Sequence, residues 1–545
     1  MNTKVLKWIL KNSKAVYVFI GLITIASVLL SLISLQFSME SKTIIDIATK
    51  ASDESFVNSC LYIIVLLVLL LLVQIFINLM NVHASSRYEI SMKNSIFKGL
   101  LKKEYLEILN YHSGELLNRI NSDVSIIVGG VMTIVPRAAL LITSVVGAFF
   151  YLYRIDRFLA LIILAVGPFV LIGARIYSKK FKELHKKYQT ADGNIKSFML
   201  EILQNILVVK AFGNEDIMTK KGDSLQNISY KLRVTRAVVS IFAHIGMFLI
   251  FNAGFYFALC YCAYKLSQNI MTAGDLVAII QLVNQIQSPF KNISGLVPQF
   301  FSVIASSERL MELENIKNEE DDGDEITDDI LSNDFEIIFD DVRFSYNDDS
   351  CIMPLNIKIK KGDFCVIAGE SGAGKSTAVK ILLGILKPES GNLYIKTYKN
   401  EIKKIGKNTR KLFSYVPQGN LILSGTIREN VAFSKENVSD EQIINSLKVA
   451  NLWDFITTLE NGINTKIGEN GVGLSEGQAQ RISVARAILH NAPIVLLDEA
   501  TSALDRKTEK GLLESISALG KTVIFVSHKD AAFDMCNKLI YMKKE

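Results

Sequence analysis

Cysteine is scarce. Six occur in 545 residues, at Cys60, Cys260, Cys262, Cys351, Cys365 and Cys536, and no pair has zinc-ligand spacing with a matching second pair. Cys351 and Cys365 fall in a region that reads as cytosolic and reduced, so small core hydrophobes are expected there. A strong excess of one charge is also missing. The formal net charge is +6, and the basic residues concentrate beside apolar segments, which argues for membrane orientation and against a nucleic-acid partner. No small-residue cleavage site cleanly follows the first apolar run, and that run is too long for the core of a signal peptide. Hydrophobic residues, by contrast, make up 50% of the chain, and the mean hydropathy is +0.29. The length exceeds what one ordinary core can use.

The hydrophobic residues are gathered into long runs. Residues 1–14 place Lys4, Lys7, Lys11 and Lys14 among Val5, Leu6, Trp8, Ile9 and Leu10, the pattern of an amphipathic helix at a membrane interface with Trp8 at headgroup level. Residues 15–310 carry six apolar runs, near 15–35, 60–80, 126–152, 158–176, 238–264 and 276–304. A bilayer crossing needs about 20 residues. Only 153–157 separates the third run from the fourth, which predicts a tight hairpin. The sixth run is the most polar. Its positions Gln281, Gln285, Ser288 and Asn292 share one helical face, which should line a cavity or a helix interface, and Pro289 is placed to kink the helix. Arg137 stands inside an early span and either snorkels or binds something acidic. Arg137, Gln281, Gln285 and Ser288 are therefore candidate cargo-pathway residues.

Basic residues fix the orientation. Arg87, Lys93, Lys98, Lys102, Lys103 and Arg119 fill one long loop, and Lys179, Lys180, Lys182, Lys186 and Lys187 fill another. Both loops and both termini then lie in the cytoplasm, which requires an even number of spans, and six satisfies this. Apolar residues at helical spacing from Phe198 to Ala211 predict helices that continue beyond the membrane. Residues 311–334, with the acidic run Glu319 to Glu325, read as a flexible linker. A calcium loop is disfavoured there because the ligand register is wrong.

From 335 to 545 the texture is α/β, with β-type runs at 335–346, 356–359, 364–368, 412–416, 494–497 and 522–526, and an antiparallel edge is expected. Gly369-Glu370-Ser371-Gly372-Ala373-Gly374-Lys375-Ser376-Thr377 fits the phosphate-binding loop G-x-x-x-x-G-K-[ST], between an apparent strand and an apparent helix at 378–386. Gly369, Ser371, Gly372, Gly374 and Thr377 belong to a backbone cradle for ATP phosphates; Lys375 should reach the β- and γ-phosphates, and Ser376 should hold Mg²⁺. In Ile494-Val495-Leu496-Leu497-Asp498-Glu499 an apolar strand ends in two acids. Asp498 should hold Mg²⁺, directly or through water, and Glu499 should polarise the attacking water.

Leu474-Ser475-Glu476-Gly477-Gln478 resembles the signature of the ATP-binding-cassette transporters. Further matches to that family follow. Tyr346 resembles its adenine-stacking aromatic. Gln418 resembles the glutamine that senses Mg²⁺ and the water, Ile467 to Gly471 the stretch before the signature, and His528 the histidine at the γ-phosphate. Asp505, in Ser502-Ala503-Leu504-Asp505, resembles the loop that couples two ATP sites. In the membrane half, 113–124 resembles the first cytoplasmic loop of the family's exporters, and Glu201 with 209–215 the second.

The resemblance implies a half-transporter. It has an all-α six-helix membrane domain with long cytoplasmic helical extensions, then an α/β P-loop ATPase domain with a helical subdomain. Two chains would pair, preferably as a homodimer, so that Ser475, Gly477 and Gln478 of one chain face the ATP held by Lys375 of the other. A heterodimer is the other possibility. The expected activity is ATP-driven, Mg²⁺-dependent export of an amphipathic peptide or drug-like cargo across a bacterial plasma membrane. A lipid flippase and an ATP-driven sensory protein are the alternatives. A soluble cassette ATPase of DNA repair or translation is disfavoured by the six runs. The family usually has glycine where this chain has Glu476, which leaves activity intact but makes the local charge less favourable. The chain ends 17 residues after His528 (545 − 528), so a packed tail is expected to be short or missing. The first cysteine, Cys60, lies in a span, so the chain is not expected to cleave a leader itself.

Overall fold

The computed structural model describes residues 3–320, 322–325, 333–346, 351–419, 422–468 and 473–543. Side chains at 164, 166–179, 182, 185, 243–244, 291–295, 297 and 351–353 lie outside the description. The chain forms two compact units. One comprises Met1–Leu101 and His112–Asn315, and the other Lys102–Tyr111 and Ile316–Glu545.

The first unit is helical. Helix α1 (Thr3–Asn12) buries Val5 and Ile9. The Trp8 indole N–H donates to the Glu314 carboxylate, so its polar edge meets the chain itself and not only headgroups. The long helices are α2 (Tyr17–Ala48) and α3 (Phe56–Leu100), then, beyond α4 (Tyr105–Leu109), which belongs to the second unit, and the short α5 (Ser113–Asn118), α6 (Val124–Ile155) and α7 (Arg157–Gln204). The short α8 (Ile206–Ala211) precedes α9 (Glu215–Ser267) and α10 (Ala273–Asn315). Four helical stretches are long and apolar enough to cross a membrane: Lys14–Ala48, Phe56–Leu100, Ser113–Ile155 and Glu215–Ser267. The membrane-spanning region thus has four such helices among the described residues rather than a clear six. The fourth apolar run falls in α7, where most of its side chains lie outside the description. The sixth falls in α10, where the polar row dilutes the apolar signal. The predicted hairpin is present, with Asp156 alone between α6 and α7 and capping α7 by accepting from the Leu159 N–H at 2.9 Å.

Helix α10 runs unbroken through Pro289 and Pro298. Its amides serve helix packing. Gln285 Nε2 donates to Ser38 Oγ of α2 at 2.9 Å, and Gln299 Nε2 to Thr133 Oγ1 of α6 at 2.8 Å. Between α5 and α6 lies a π-helical turn, Arg119–Asp123. Its two charged ends are buried and satisfied by α10. Arg119 donates to the Arg309 carbonyl at 2.7 Å and to Glu312 at 3.0 Å, and Asp123 accepts from Ser306 at 2.9 Å and from Arg309 Nε at 2.8 Å.

The expected flexible linker is corrected by the structure. Helix α10 extends to Asn315, and the described acidic residues that follow are docked on the second unit. Glu319 pairs with Arg410, Glu320 and Asp322 pair with Lys387 at 2.6 and 2.9 Å, and Asp324 accepts from the Lys404 N–H at 2.7 Å. Burial raises the Asp322 pKa, but Lys387 and the Lys407 N–H outweigh it, and the carboxyl lies below its ordinary value. The acidic run finds a complementary basic surface, which its composition alone could not reveal. The linker also pairs with the first cytoplasmic loop: the Glu319 N–H donates to the Lys102 carbonyl at 2.8 Å and the Glu104 N–H to the Lys317 carbonyl at 3.0 Å. Residues 326–332 of the linker lie outside the described residues.

The second unit has two main sheets. Strands β1 (Phe335–Ser345), β2 (Cys351–Lys360), β4 (Ser390–Thr397) and β5 (Ile402–Lys404) form an antiparallel sheet in the order β2-β1-β4-β5. The expected antiparallel edge is thus a sheet of its own. Strands β3 (Phe364–Gly369), β6 (Phe413–Val416), β9 (Ile494–Asp498), β10 (Thr522–Val526) and β11 (Lys538–Met542) form a parallel sheet, β11-β3-β10-β9-β6. Its central strands are apolar on both faces, as a sheet covered on both sides requires. Cys365, Ile367, Leu496, Ile524 and Val526 face a core shared with the antiparallel sheet and with α11 (Lys375–Leu382). Val366, Val495, Leu497, Val523 and Phe525 face a second core. That second core is built with α12 (Ile427–Val431), α13 (Asp440–Val449), α14 (Trp453–Thr457), α15 (Glu476–His490) and α16 (Arg506–Ser517). A short ribbon, β7 (Gly425–Thr426) with β8 (Lys466–Ile467), braces that helical part, and α17 (Asp530–Met535) leads into β11. Cys365 is a buried core residue, as expected, with burial pushing its thiol up to about 12.

Candidate functional site

All strands of the parallel sheet run the same way, so their carboxyl ends share one edge, where α/β sheets hold ligands. Four of them each deliver candidate residues there. The loop 369–374 follows β3, Gln418 lies two residues beyond β6, Asp498 ends β9 with Glu499 next, and His528 lies two residues beyond β10. The pairing of Val526 with Asp498 and of Val416 with Leu497 brings these ends level.

The loop begins at Gly369 with φ +147°, where a Cβ would stand 2.0 Å from the Met542 carbonyl oxygen of β11. Only glycine fits. Helix α11 begins at Lys375, three residues earlier than the sequence suggested, so the loop runs directly into a helix N-terminus that favours anionic groups. Lys375 is buried, and its ammonium donates to the carbonyls of Gly369 at 2.9 Å and Glu370 at 2.8 Å, across the mouth of the loop. Ser371 and Gly372 are exposed. Thr377 is buried beneath Tyr346, whose hydroxyl lies 3.4 Å from Thr377 Oγ1. The Tyr346 ring packs edge-on against Phe344 at 5.0 Å and leaves a face in solvent, 45% exposed, free to stack on a flat base.

Ser376 Oγ donates to Asp498 Oδ1 at 2.9 Å. Asp498 is 1% exposed. Burial raises its pKa, the Ser376 hydrogen bond offsets part of this, and the neighbouring Glu499 charge raises it again. A hydroxyl and a buried carboxylate side by side are a hard-oxygen pair that fits Mg²⁺ completed by phosphate and water oxygens. Glu499 adopts φ +51°, a region costly for a side chain with a Cβ. It is held there by its own N–H bond to the Val526 carbonyl at 3.0 Å. Gln418 Nε2 donates to Glu499 Oε2 at 2.7 Å, and His528 Nε2 stands 3.7 Å from Glu499 Oε1. Two candidates read separately from the sequence, Gln418 and His528, therefore converge on the carboxylate of a third, Glu499.

Ser475, Gly477 and Gln478 form the start of α15. Ser475 caps it, accepting from the Gln478 N–H at 3.3 Å while the Gln478 side chain accepts from the Ser475 N–H at 2.8 Å. Gly477 is buried against 503–504. Among the described residues no hydrogen bond links this turn to the loop 369–377. Asp505 caps α16, accepting from the N–H groups of Lys507 and Thr508 at 3.2 and 3.1 Å, and the Thr508 bonds lower its pKa. Residues 469–471 of the stretch before the signature lie outside the described residues.

Sequence reasoning missed the groups that hold 499–505. Gln480 of α15 donates to Ser502 Oγ at 2.7 Å and accepts from the Ala503 N–H at 3.2 Å. Lys529 and Glu509 hold it from the other side. A buried glutamate in a helix and a lysine beside His528 were visible as residue types, but not as a pair.

In the first unit Gln285 lies at the contact of α10 with α2, Gln281 and Ser288 are half-buried, and the Asn292 side chain lies outside the description. Arg137 is exposed on α6 and has no hydrogen-bond or ion-pair partner among the described residues.

A family model described as "ABC transporter transmembrane region" matches residues 20–290, and one described as "ABC transporter" matches residues 352–502. An ATP-dependent lipid A-core flippase of Pasteurella multocida is 27% identical over 518 residues, covering 92% of this chain and 87% of that protein. The protein of the same name from Escherichia coli K12 is 26% identical over 468 residues, covering 84% of this chain and 79% of that one. ABC transporter B family member 1 of Dictyostelium discoideum is 28% identical over 476 residues, 85% of this chain, which spans about half (51%) of that relative. A solved bacterial Atm1-family ABC exporter with ATP bound superposes with a TM-score of 0.82 at 22% identity, covering 97% of this chain and 95% of that chain, which establishes a shared fold.

Proposed function

The chain belongs to the ABC transporter family as a half-transporter, an ATP-hydrolysing translocase with one membrane region and one ATPase domain, and from that premise we propose that it is a lipid flippase whose cargo is an anionic, lipid-like amphiphile. The observation that carries this reading is Arg137. Six spans with a cytoplasmic ATPase domain put the α6–α7 hairpin outside. Arg137 then lies 18 residues (155 − 137) from the outer end of α6. The apolar run 126–152 continues for 11 residues (137 − 126) beyond it toward the cytoplasm, about 16 Å at 1.5 Å per residue, so the guanidinium stands within the span on the cytoplasmic side of its middle. An exposed guanidinium within the inner half of the span, with no partner among the described residues, suits the phosphate or carboxylate of a lipid collected from the inner leaflet. The lipid A-core flippases among the relatives support the same class. A bacterial plasma membrane is the setting that the bacterial relatives support.

In the ATPase domain, the loop N–H groups and Lys375 hold the phosphates of ATP, and Tyr346 stacks on the base. Ser376 and Asp498, with Gln418 as a further candidate oxygen ligand, would hold Mg²⁺, which would supply positive charge against the phosphates. Glu499, oriented by Gln418, accepts the proton of a water whose oxygen attacks the γ-phosphorus. The bond from the γ-phosphorus to the bridging oxygen breaks, its electrons leave with ADP, and phosphate forms. His528 stabilises the γ-phosphoryl oxygens. A second copy of the chain supplies Ser475, Gly477 and Gln478 at each site. The exposed apolar tip of the second cytoplasmic loop, with Leu207 79% and Phe212 74% exposed, fits docking on that copy.

The test is ATP-dependent movement of a fluorescent phosphatidylglycerol in proteoliposomes, with a neutral fluorescent diacylglycerol and an amphipathic peptide as comparisons. The wild type should move the anionic lipid, Glu499→Gln should not, and Arg137→Gln should slow the anionic lipid selectively while ATP still binds. Movement of the peptide but of neither lipid would replace this reading with peptide export. ATP turnover with no cargo moved would favour a sensory protein.

A further inference from the structure

The segment 499–505 begins with Glu499 in a strained backbone conformation and ends at Asp505. Strain of this kind persists only where the surroundings over-determine the loop. One brace comes from Gln480 of α15. The other comes from Lys529. Its ammonium donates to the Thr501 carbonyl at 2.6 Å and to the Leu504 carbonyl at 2.9 Å, and it stands 3.7 Å from Glu509 Oε2. Glu509 is 2% exposed, lies in the first turn of α16, and accepts from Thr501 Oγ1 at 2.7 Å. Lys529 is fixed in turn by its own N–H bond to Ser527 Oγ at 3.2 Å.

We infer that Lys529, held by Glu509, is a positioning residue for ATP hydrolysis. Lys529 adjoins His528 on the loop after β10, and its side chain grips the loop after β9 that begins at Glu499. Those two strands are neighbours in the sheet. One ammonium therefore fixes the spacing between the two side chains that face the γ-phosphate, an inference that rests on Glu499 carrying the reaction. Two carbonyls aimed at one point need a multiple donor with positive charge. Lysine and arginine qualify, and glutamine does not, because its amide supplies fewer donors and would leave Glu509 buried without a counter-charge.

The experiment uses the full-length protein in proteoliposomes as wild type, Lys529→Gln, Lys529→Arg, the double variant Lys529→Gln/Glu509→Gln, and Glu499→Gln. Turnover, KM for ATP, affinity for a fluorescent ATP analogue and melting temperature are measured. Lys529→Gln should lower kcat by about 10- to 100-fold with KM and analogue affinity unchanged, and Lys529→Arg should restore most of the rate. The double variant removes the buried charge pair and should recover melting temperature without recovering turnover. Wild-type kcat in Lys529→Gln, or turnover that returns together with stability in the double variant, would overturn the inference. Persisting turnover in Glu499→Gln would instead remove the assignment of Glu499 on which it rests.

Discussion

Gly477→Ala adds one methyl group in the first turn of α15. That methyl would stand 3.0 Å from the Ala503 carbonyl oxygen and 3.0 Å from Leu504 Cδ2. Alanine favours a helix over glycine by up to about 1 kcal/mol, less in a first turn. Overpacking a tight contact costs about 1–3 kcal/mol. The net is a destabilisation of roughly 0–3 kcal/mol, too small to unfold the domain. The neighbours cannot simply step aside. The Ala503 N–H is bonded to Gln480 at 3.2 Å, and the Leu504 carbonyl to Lys529 at 2.9 Å. The strain therefore passes into 499–505, and an ångström of misplacement near the reacting atoms can cost on the order of 100-fold in rate. The assay is ATP turnover against ATP concentration in proteoliposomes, with a thermal melt of the same preparation. The expected result is a kcat lower by at least about tenfold, with the protein still folded at the assay temperature and its melting temperature lowered by no more than about 10 °C. Wild-type turnover, or a loss of turnover that simply follows unfolding, would refute the coupling between α15 and this segment.

Glu476 is exposed in the first turn of α15, where its charge favours the helix by about 0.3–1 kcal/mol but opposes a phosphate approaching that end. Glu476→Gln should lower KM for ATP by about 2- to 5-fold at low salt, with the gain shrinking as salt rises; an unchanged KM at low salt would refute the charge argument. Asp498 has a folded-state pKa raised above its unfolded value, chiefly by burial. Its ionised form therefore subtracts from stability above that raised pKa, and the penalty disappears as pH falls through it. Asp498→Asn should melt higher than wild type near neutral pH, lose that advantage in acid, and have no turnover. A lower melting temperature at neutral pH would contradict the burial argument.

Some of this protein is local information. The spacing Gly369 to Thr377 and the acids at 498–499 identify a phosphate site because a few backbone and side-chain groups within one turn do the chemistry. Long apolar runs identify membrane helices because the bilayer sets their length. The strands at 364–369, 494–498 and 522–526 are legible because a sheet covered on both faces demands unbroken apolar residues. What only the tertiary structure decided depends on partners distant in sequence. The acidic 319–325 run looks like a solvated tether until the surface of Arg410, Lys387 and Lys404 is present. The polar face of Gln285 could line a cavity or a helix interface by spacing alone, and the packed chain supplies its partner, Ser38 of α2 at 2.9 Å. Lys529 and Glu509 carry no motif, because their role exists only where two neighbouring strands end together and two carbonyls turn toward one ammonium. Composition and spacing encode what each segment can do alone, and the packing of the chain decides which of those capacities meet.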